Sequence, residues 1–149
     1  MPPRTVVKIT AKTQSGEVVA EAIVDTHDTP ELAAWGKKAG GLCVEWLPKI
    51  AALLPSEGFT PPKTVTLFFD PVMKGVAHAD KTRITFSAAY VRAHPDDWGM
   101  VVHELTHVVQ GYGSAGEGYV KPGWLVEGIA DYIRLTHFEP QAKRPRLKP

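Results

Sequence analysis

The stretch "VVHELTHVVQ", residues 101–110, limits the possible folds of this chain more than any other. Its aliphatic residues are typical of a helix that is buried on nearly all sides. His103, Glu104 and His107 nevertheless lie in its middle. Polar and charged side chains inside such a run cost free energy unless they have partners. The rest of the chain must therefore explain these three residues.

The spacing of the two histidines predicts a metal site. Residues four apart on an α-helix lie about 6 Å apart along the axis and about 40° apart in azimuth. His103 and His107 can therefore direct two rings at one ion, with Glu104 beside it. This H-E-x-x-H arrangement is typical of zinc hydrolases, in which the glutamate is the general base. Gly99, one turn before His103, leaves room on the same face.

A third ligand is expected from the next helix. A metzincin would need a histidine at position 113, where Gly113 stands, so that subclass is excluded. Glu127 lies in the otherwise apolar stretch "WLVEGIADY", with Asp131 four residues later. Two such carboxylates would repel each other unless compensated. We predict that Glu127 binds zinc and that Asp131 accepts the other ring N–H of a ligand histidine.

Interpretations without a metal exist for both helices. His103 and His107 could be satisfied core histidines, with Glu104 at the surface. Glu127 and Asp131 could belong to a solvated polar stripe on an amphipathic helix. One ion would explain the polar residues on both apolar helices together.

The order of predicted elements favours an α+β fold. Residues 4–12 and 16–25 alternate like a hairpin, residues 63–70 form a third strand, and residues 82–88 form a shorter strand that could be an edge strand. Helices are predicted over residues 31–54, from Pro95 to about Gln110 with Gly111 as the stop, and over 123–138. Gly40-Gly41 should weaken the first helix, and Pro48 should kink or divide it. Strands and helices do not alternate as βαβ repeats would.

Composition excludes several classes of protein. A chain of 149 residues fits one domain, and 17 basic against 16 acidic side chains provide no cationic face for nucleic acid. No apolar run is long enough to cross a bilayer. Cys43 is the only cysteine, which excludes an internal disulfide and a thiolate zinc cluster. We expect a monomer without nucleic-acid or membrane partners.

Two segments carry a resemblance to a known family. "GVAHADKTRITFSAAYVRAHPDDWGMVVHELTHVVQGY" and "PGWLVEGIADYIR" resemble the basic secretory protein family, a group of plant and bacterial proteins regarded as zinc peptidases. "HELTH", followed after nineteen residues by Glu127 and then by Asp131, is similar to the gluzincin pattern of thermolysin-type peptidases.

The resemblance implies a zincin-like α+β domain over residues 1–149, with the active-site core at about 63–138. A twisted mixed sheet would lie over the active-site helix, and a C-terminal helix would carry Glu127. It also implies a secreted or periplasmic location in the parent organism, a removed leader and a further C-terminal helix. In zincins an extended substrate commonly lies antiparallel to an edge strand, and residues 82–88 are the candidate here.

The function expected from these observations is zinc-dependent peptide hydrolysis, with one Zn²⁺ per chain held by His103, His107 and Glu127. Glu104 would take a proton from water and pass it to the departing amine. The alternative is a non-catalytic module that keeps zinc as a structural clamp and binds a cell-wall or protein ligand. Glu104 argues against that alternative, because a structural site has no use for it.

Other polar residues are weaker candidates. Three could donate to an oxyanion, although packing or surface roles are the alternative for each: Tyr112, Tyr119 and Arg134. Three further histidines lack metal-ligand spacing and are expected to be exposed or to cap helices: His78, His94 and His137.

Overall fold

The computed structural model describes residues 6–53, 62–110 and 129–139. These residues form a mixed α+β structure around a five-stranded sheet with the strand order β1-β2-β3-β5-β4. The strands are β1 (Val6–Lys12), β2 (Val18–Asp25), β3 (Thr64–Asp70), β4 (Ala77–Asp80) and β5 (Arg83–Ser87).

The N-terminal hairpin is confirmed. Strands β1 and β2 pair antiparallel, and the turn between them contains Gly16 at φ +93°. The backbone N–H of Gly16 donates to the carbonyl of Thr13 at 2.9 Å, which closes the turn. A positive φ of this size favours glycine, so the "TQSG" segment does specify the reversal.

Helix α1 (Ala33–Leu53) connects β2 to β3, which pair parallel. It runs unbroken through Gly40-Gly41 and Pro48, so Pro48 does not divide this helix, and a kink there stays a prediction. A Cβ at Gly40 would lie 2.7 Å from Ile9 Cδ1 and 2.8 Å from Val24 Cγ2. The glycine therefore lets the helix pack closely on the sheet, and tertiary packing outweighs its low helix propensity.

The prediction that residues 82–88 form an edge strand is wrong. Strand β5 lies inside the sheet, parallel to β3 on one side and antiparallel to β4 on the other. Among the described strands, the short strand β4 is the edge on that side, and it turns back into β5 through Lys81 at φ 56°. Four consecutive residues of β5, from Ile84 to Ser87, are buried as a result.

Three helices follow the sheet among the described residues. They are α2 (Ala88–Ala93), α3 (Trp98–Gln110) and α4 (residues 129–139, in which Arg134–Phe138 is π-helical). Helix α2 was not expected, whereas α3 reaches the predicted end at Gln110. The described part of the last predicted helix is helical, and its beginning lies outside the described residues. Within the part of the chain that the structure describes, no helix could cross a membrane.

The core lies between the sheet and the helices. Trp35 of α1 makes edge contacts with Phe69 and Phe86 of the sheet, with ring centroids 5.7 Å away in each case. It also stacks on Trp98 at the start of α3, with centroids 4.7 Å apart. Its indole N–H donates to the carbonyl of Pro95 at 2.8 Å. These contacts fix where α3 begins relative to the sheet.

Candidate active site

Helix α3 is a buried apolar helix with a defined start. Its aliphatic residues pack into the core, and Thr106 is accommodated because its hydroxyl donates to the carbonyl of Val102 at 2.8 Å. Asp97 precedes the helix, and its Oδ1 accepts from the backbone N–H of Met100 at 3.2 Å. This is a side-chain cap of the kind that stabilises helix N-termini.

His103 and His107 lie side by side on α3. Their ring centroids are 4.9 Å apart, with the ring planes 84° to each other. The side chain of His103 is 16% exposed. The i, i+4 spacing therefore brings both imidazoles to one partly buried place on the helix surface.

The Nδ1 atom of each ring faces an oxygen atom. Asp131 Oδ1, on α4, lies within ion-pair distance of His103 Nδ1, at 2.9 Å. Gln110 Oε1, one turn along α3, lies 2.7 Å from His107 Nδ1. At His107 this acceptor favours the tautomer in which Nδ1 carries the proton and Nε2 the lone pair. At His103 the Asp131 carboxylate is close enough for an ion pair, but the contact lacks the geometry of a hydrogen bond. The side chain of Gln110 was missed from sequence, although its i, i+3 spacing from His107 could have indicated the contact.

Glu104 is buried, with 8% of its surface exposed. The interpretation that it is a surface glutamate is therefore wrong. Burial of an ionisable group costs free energy. A buried carboxylate beside His103 therefore indicates a chemical role for Glu104.

A second polar cluster, the Arg134 cluster, lies nearby and consists of Tyr90, Asp97, Arg134 and Glu139. Arg134 contacts Asp97 Oδ1 through Nη2 at 3.0 Å and Glu139 Oε2 through Nε at 2.8 Å. The Tyr90 hydroxyl donates to Asp97 Oδ2 at 2.6 Å, and this bond, with burial, raises the pKa of Tyr90. Burial lowers the pKa of Arg134, but Glu139 and Asp97 outweigh that effect and raise it.

Gly99 leaves room for this cluster and not only for the histidines. A Cβ at Gly99 would lie 2.6 Å from Arg134 Nε and would also collide with Glu139 Oε2. The glycine was expected to relieve crowding near His103. The structure shows that the crowding partner is an ion pair on α4.

A family model matches residues 37–146, and its description is BSP, "Peptidase of plants and bacteria". The chain belongs to the BSP family. The matched segment includes α3 and all described residues of α4. Among curated proteins, no significant match was found. BSP membership makes this chain a member of a peptidase family, and peptides or proteins are the corresponding class of substrate.

The other predicted site residues of this BSP chain have separate locations. His78 is exposed on β4, and His94 ends α2 with its backbone N–H bonded to the carbonyl of Tyr90 at 2.8 Å. His137 contacts Tyr132, with ring centroids 5.6 Å apart. Arg134 pairs with Asp97, which precedes α3, and with Glu139 on its own helix, so the ion pairs described for it are not with the histidines. Three predicted residues lie outside the described residues: Tyr112, Tyr119 and Glu127.

The predicted metal site of this BSP chain lies only partly within the described residues. Among residues 6–53, 62–110 and 129–139, no group of three or more histidine, cysteine, aspartate or glutamate side chains could hold an ion. His103 and His107 supply two nitrogen donors, and Asp131 faces the ring of His103 from outside the pair. That arrangement fits the outer partner of a metal-bound histidine.

Proposed function

We propose that this chain is a zinc-dependent peptidase of the zincin-like fold, with His103, His107 and Glu127 as the ligands. The observation that carries the proposal is the pair of imidazoles 4.9 Å apart on α3, next to the buried Glu104. The oxygen atoms beside both Nδ1 atoms, at ion-pair distance for His103 and hydrogen-bonded for His107, support binding of an ion through Nε2. Two imidazoles and a carboxylate are the ligand set of many catalytic zinc sites.

Zinc bound there would supply Lewis acidity, which lowers the pKa of water and polarises a substrate carbonyl. Glu104 is the residue proposed to move protons. Its carboxylate accepts a proton from the attacking water and then donates that proton to the nitrogen of the departing amine. A buried carboxylate beside the ligand pair is suited to both transfers, because it is not itself needed as a ligand.

The edge strand β4 is the proposed binding place for the substrate backbone. The N–H of Ser87 donates to the carbonyl of Val76 at 2.9 Å, so the pair Ala77↔Phe86 is a non-hydrogen-bonded pair of the antiparallel ladder. By alternation, the backbone groups of Ala77 and Ala79 point away from β5. An extended peptide could pair with those groups and gain affinity with little dependence on its sequence.

The deciding experiment is the substitution Glu104→Gln. The amide can hydrogen-bond water but cannot accept its proton, so peptide cleavage should fall by about 10²- to 10⁴-fold. Zinc content and melting temperature should stay at wild-type values, because Glu104 is not a ligand. The matched control is Glu45→Gln on α1, where the carboxylate is 57% exposed and pairs with Lys49.

The measurements are cleavage of a peptide library and elemental analysis of the purified protein. Full activity in Glu104→Gln would refute the mechanism. A zinc-loaded wild type that cleaves no peptide in the library would favour the non-catalytic binding module instead. Loss of activity in Glu45→Gln as well would show that the effect does not belong to the histidine pair.

A further inference from the structure

The Arg134 cluster has no part in the proposed reaction, yet it lies between three helices. Its charged side chains are mostly buried: Arg134 is 29% exposed, Asp97 20% and Glu139 16%. Ion pairs that are partly buried are screened less by solvent and salt than exposed ones. The cluster is therefore able to fix the relative position of the helices that carry it.

One carboxylate connects all three helices. Asp97 Oδ1 accepts from the backbone N–H of Met100, which caps α3, and contacts Nη2 of Arg134 on α4 at 3.0 Å. Asp97 Oδ2 accepts the hydroxyl of Tyr90 on α2. The residue that starts the histidine helix thus also holds the helix that carries Asp131.

The π-helical segment makes the second ion pair possible. Residues five apart would be about 140° apart around a regular α-helix. Here the backbone N–H of Glu139 donates to the carbonyl of Arg134, the i→i+5 bond of a π-helix. This brings both side chains to the same side, and Arg134 Nε reaches Glu139 Oε2 at 2.8 Å. Gly99 provides the space on α3 that this pair occupies.

The contact between Asp131 and His103 needs such support. The side chain of Asp131 is 55% exposed, and exposed ion pairs contribute little to stability. That contact alone would not hold α4 in place. Arg134 lies three residues after Asp131, on the neighbouring part of the same helix face.

We propose that Arg134 is a positioning residue, which holds α4 on α3 through Asp97 so that Asp131 stays at His103 Nδ1, while Glu139 on the same helix orients the guanidinium. Its effect on a metal ion rests on the function proposed above. Its effect on the histidine ring does not, because that contact exists without any ion.

The test compares Arg134→Met with Arg134→Lys and with the control Arg92→Met. Arg92 is also an arginine on a helix, and it pairs with Glu31 at an exposed surface. Co²⁺ is the probe, because its absorption spectrum reports both affinity and coordination geometry. We expect Arg134→Met to weaken Co²⁺ binding by about tenfold, the lower end of the effect seen for outer partners. Arg134→Lys should recover part of the loss, and Arg92→Met should bind like wild type.

A second variant covers the case in which Arg134→Met does not fold. Gly99→Ala places a methyl group where the ion pair lies, while alanine favours the helix more than glycine does. We expect weaker Co²⁺ binding in a protein that stays folded, because the gain in helix propensity offsets part of the stability lost with the ion pair. If Gly99→Ala acts by displacing the pair, it should add no further loss in Arg134→Met, since the two changes then remove one interaction.

The metal-free protein gives an independent measurement. Nitrogen-15 NMR of the His103 ring at fixed pH reports which ring nitrogen carries the proton. Wild type should show the Nδ1–H tautomer, and Arg134→Met and Gly99→Ala should shift toward Nε2–H. An unchanged ring signal in both variants would overturn the positioning role, whether or not Co²⁺ binds. If wild type binds no Co²⁺ while the two variants still shift the tautomer of His103, the zinc proposal is overturned and the positioning role is kept.

Discussion

Asp131 Oδ1 and His103 Nδ1 lie 2.9 Å apart, although the two residues belong to different helices, α4 and α3. A carboxylate at this nitrogen fixes the ring orientation and raises the basicity of the other nitrogen. The relation therefore bears directly on how strongly His103 could hold an ion.

Asp131→Asn should lower zinc affinity by about tenfold to a hundredfold, because the amide keeps the size of the side chain but loses its charge. Zinc affinity is measured by competition with a chromophoric chelator. Asp28→Asn is the matched control, since Asp28 makes a comparable contact with His27 at 3.2 Å on the exposed side of the molecule. Equal zinc affinities for wild type and Asp131→Asn would show that Asp131 has no role in zinc binding.

Ala79→Pro tests the proposed edge for substrate binding. Proline removes a backbone N–H that points away from β5, so the β4–β5 ladder keeps its hydrogen bonds. KM for peptides should rise several-fold with little change in kcat. The reason is that the lost hydrogen bond stabilises the bound substrate and the transition state equally. His78→Pro is the comparison, because that N–H points into the ladder and its loss should lower the melting temperature. An unchanged KM in a folded Ala79→Pro would place the substrate elsewhere.

Gly40→Ala and Gly41→Ala are expected to have opposite effects on stability. At Gly40 the new methyl group would press on Ile9 and Val24, and overpacking costs about 1–3 kcal/mol. At Gly41 nothing lies within 4 Å, so the gain in helix propensity, up to about 1 kcal/mol, should remain. Chemical denaturation gives both values. A stabilised Gly40→Ala would mean that α1 does not lie as close to the sheet as the structure shows.

The Cys43 thiol should be unreactive in the folded protein, and it should make the free energy of unfolding fall at alkaline pH. Burial raises the pKa of its thiol from 9.0 to about 12, and only the thiolate is nucleophilic. Below pH 9.0 the thiol is neutral in both the folded and the unfolded chain, so its full contribution to the free energy of unfolding is present there. Above that pH the unfolded chain loses the proton first, and stability falls as the pH rises toward 12.

The check is a pair of measurements on wild type and Cys43→Ala. Iodoacetamide at pH 8 should label wild type only after denaturant is added. Between pH 8 and 10.5 the unfolding free energy of wild type should fall more steeply than that of Cys43→Ala. Parallel curves would show that the thiol is accessible to water in the folded protein.

Local sequence signals predicted much of the fold. The alternating strands around "TQSG" and the apolar run of α3 each appear where the sequence places them. Strand β4 was missed because four residues, "AHAD", carry too little periodicity to be recognised alone. Without β4, the neighbouring strand β5 was wrongly interpreted as an edge. Sheet order depends on pairing between distant segments, which local patterns do not encode.

The candidate site divides in the same way. The i, i+4 spacing of His103 and His107 follows from helix geometry and could be predicted. The ion pair of Arg134 with Glu139 depends on a π-helical hydrogen bond, and a search at α-helical spacing overlooks it. Glu127 lies outside the described residues, and its role as third ligand stays a prediction.

The position of α4 along the chain has a consequence for synthesis. The five strands and α1 lie before residue 88, whereas the partner of His103 is Asp131. At about 5–20 residues per second, a ribosome would need seconds to pass from the end of the sheet to Asp131. The nascent chain can therefore complete its sheet before the His103 ring acquires its carboxylate neighbour. If the proposed site is the active site, it would be completed only after the sheet, and the peptidase would have less opportunity to cut the unfolded segments of its own sheet.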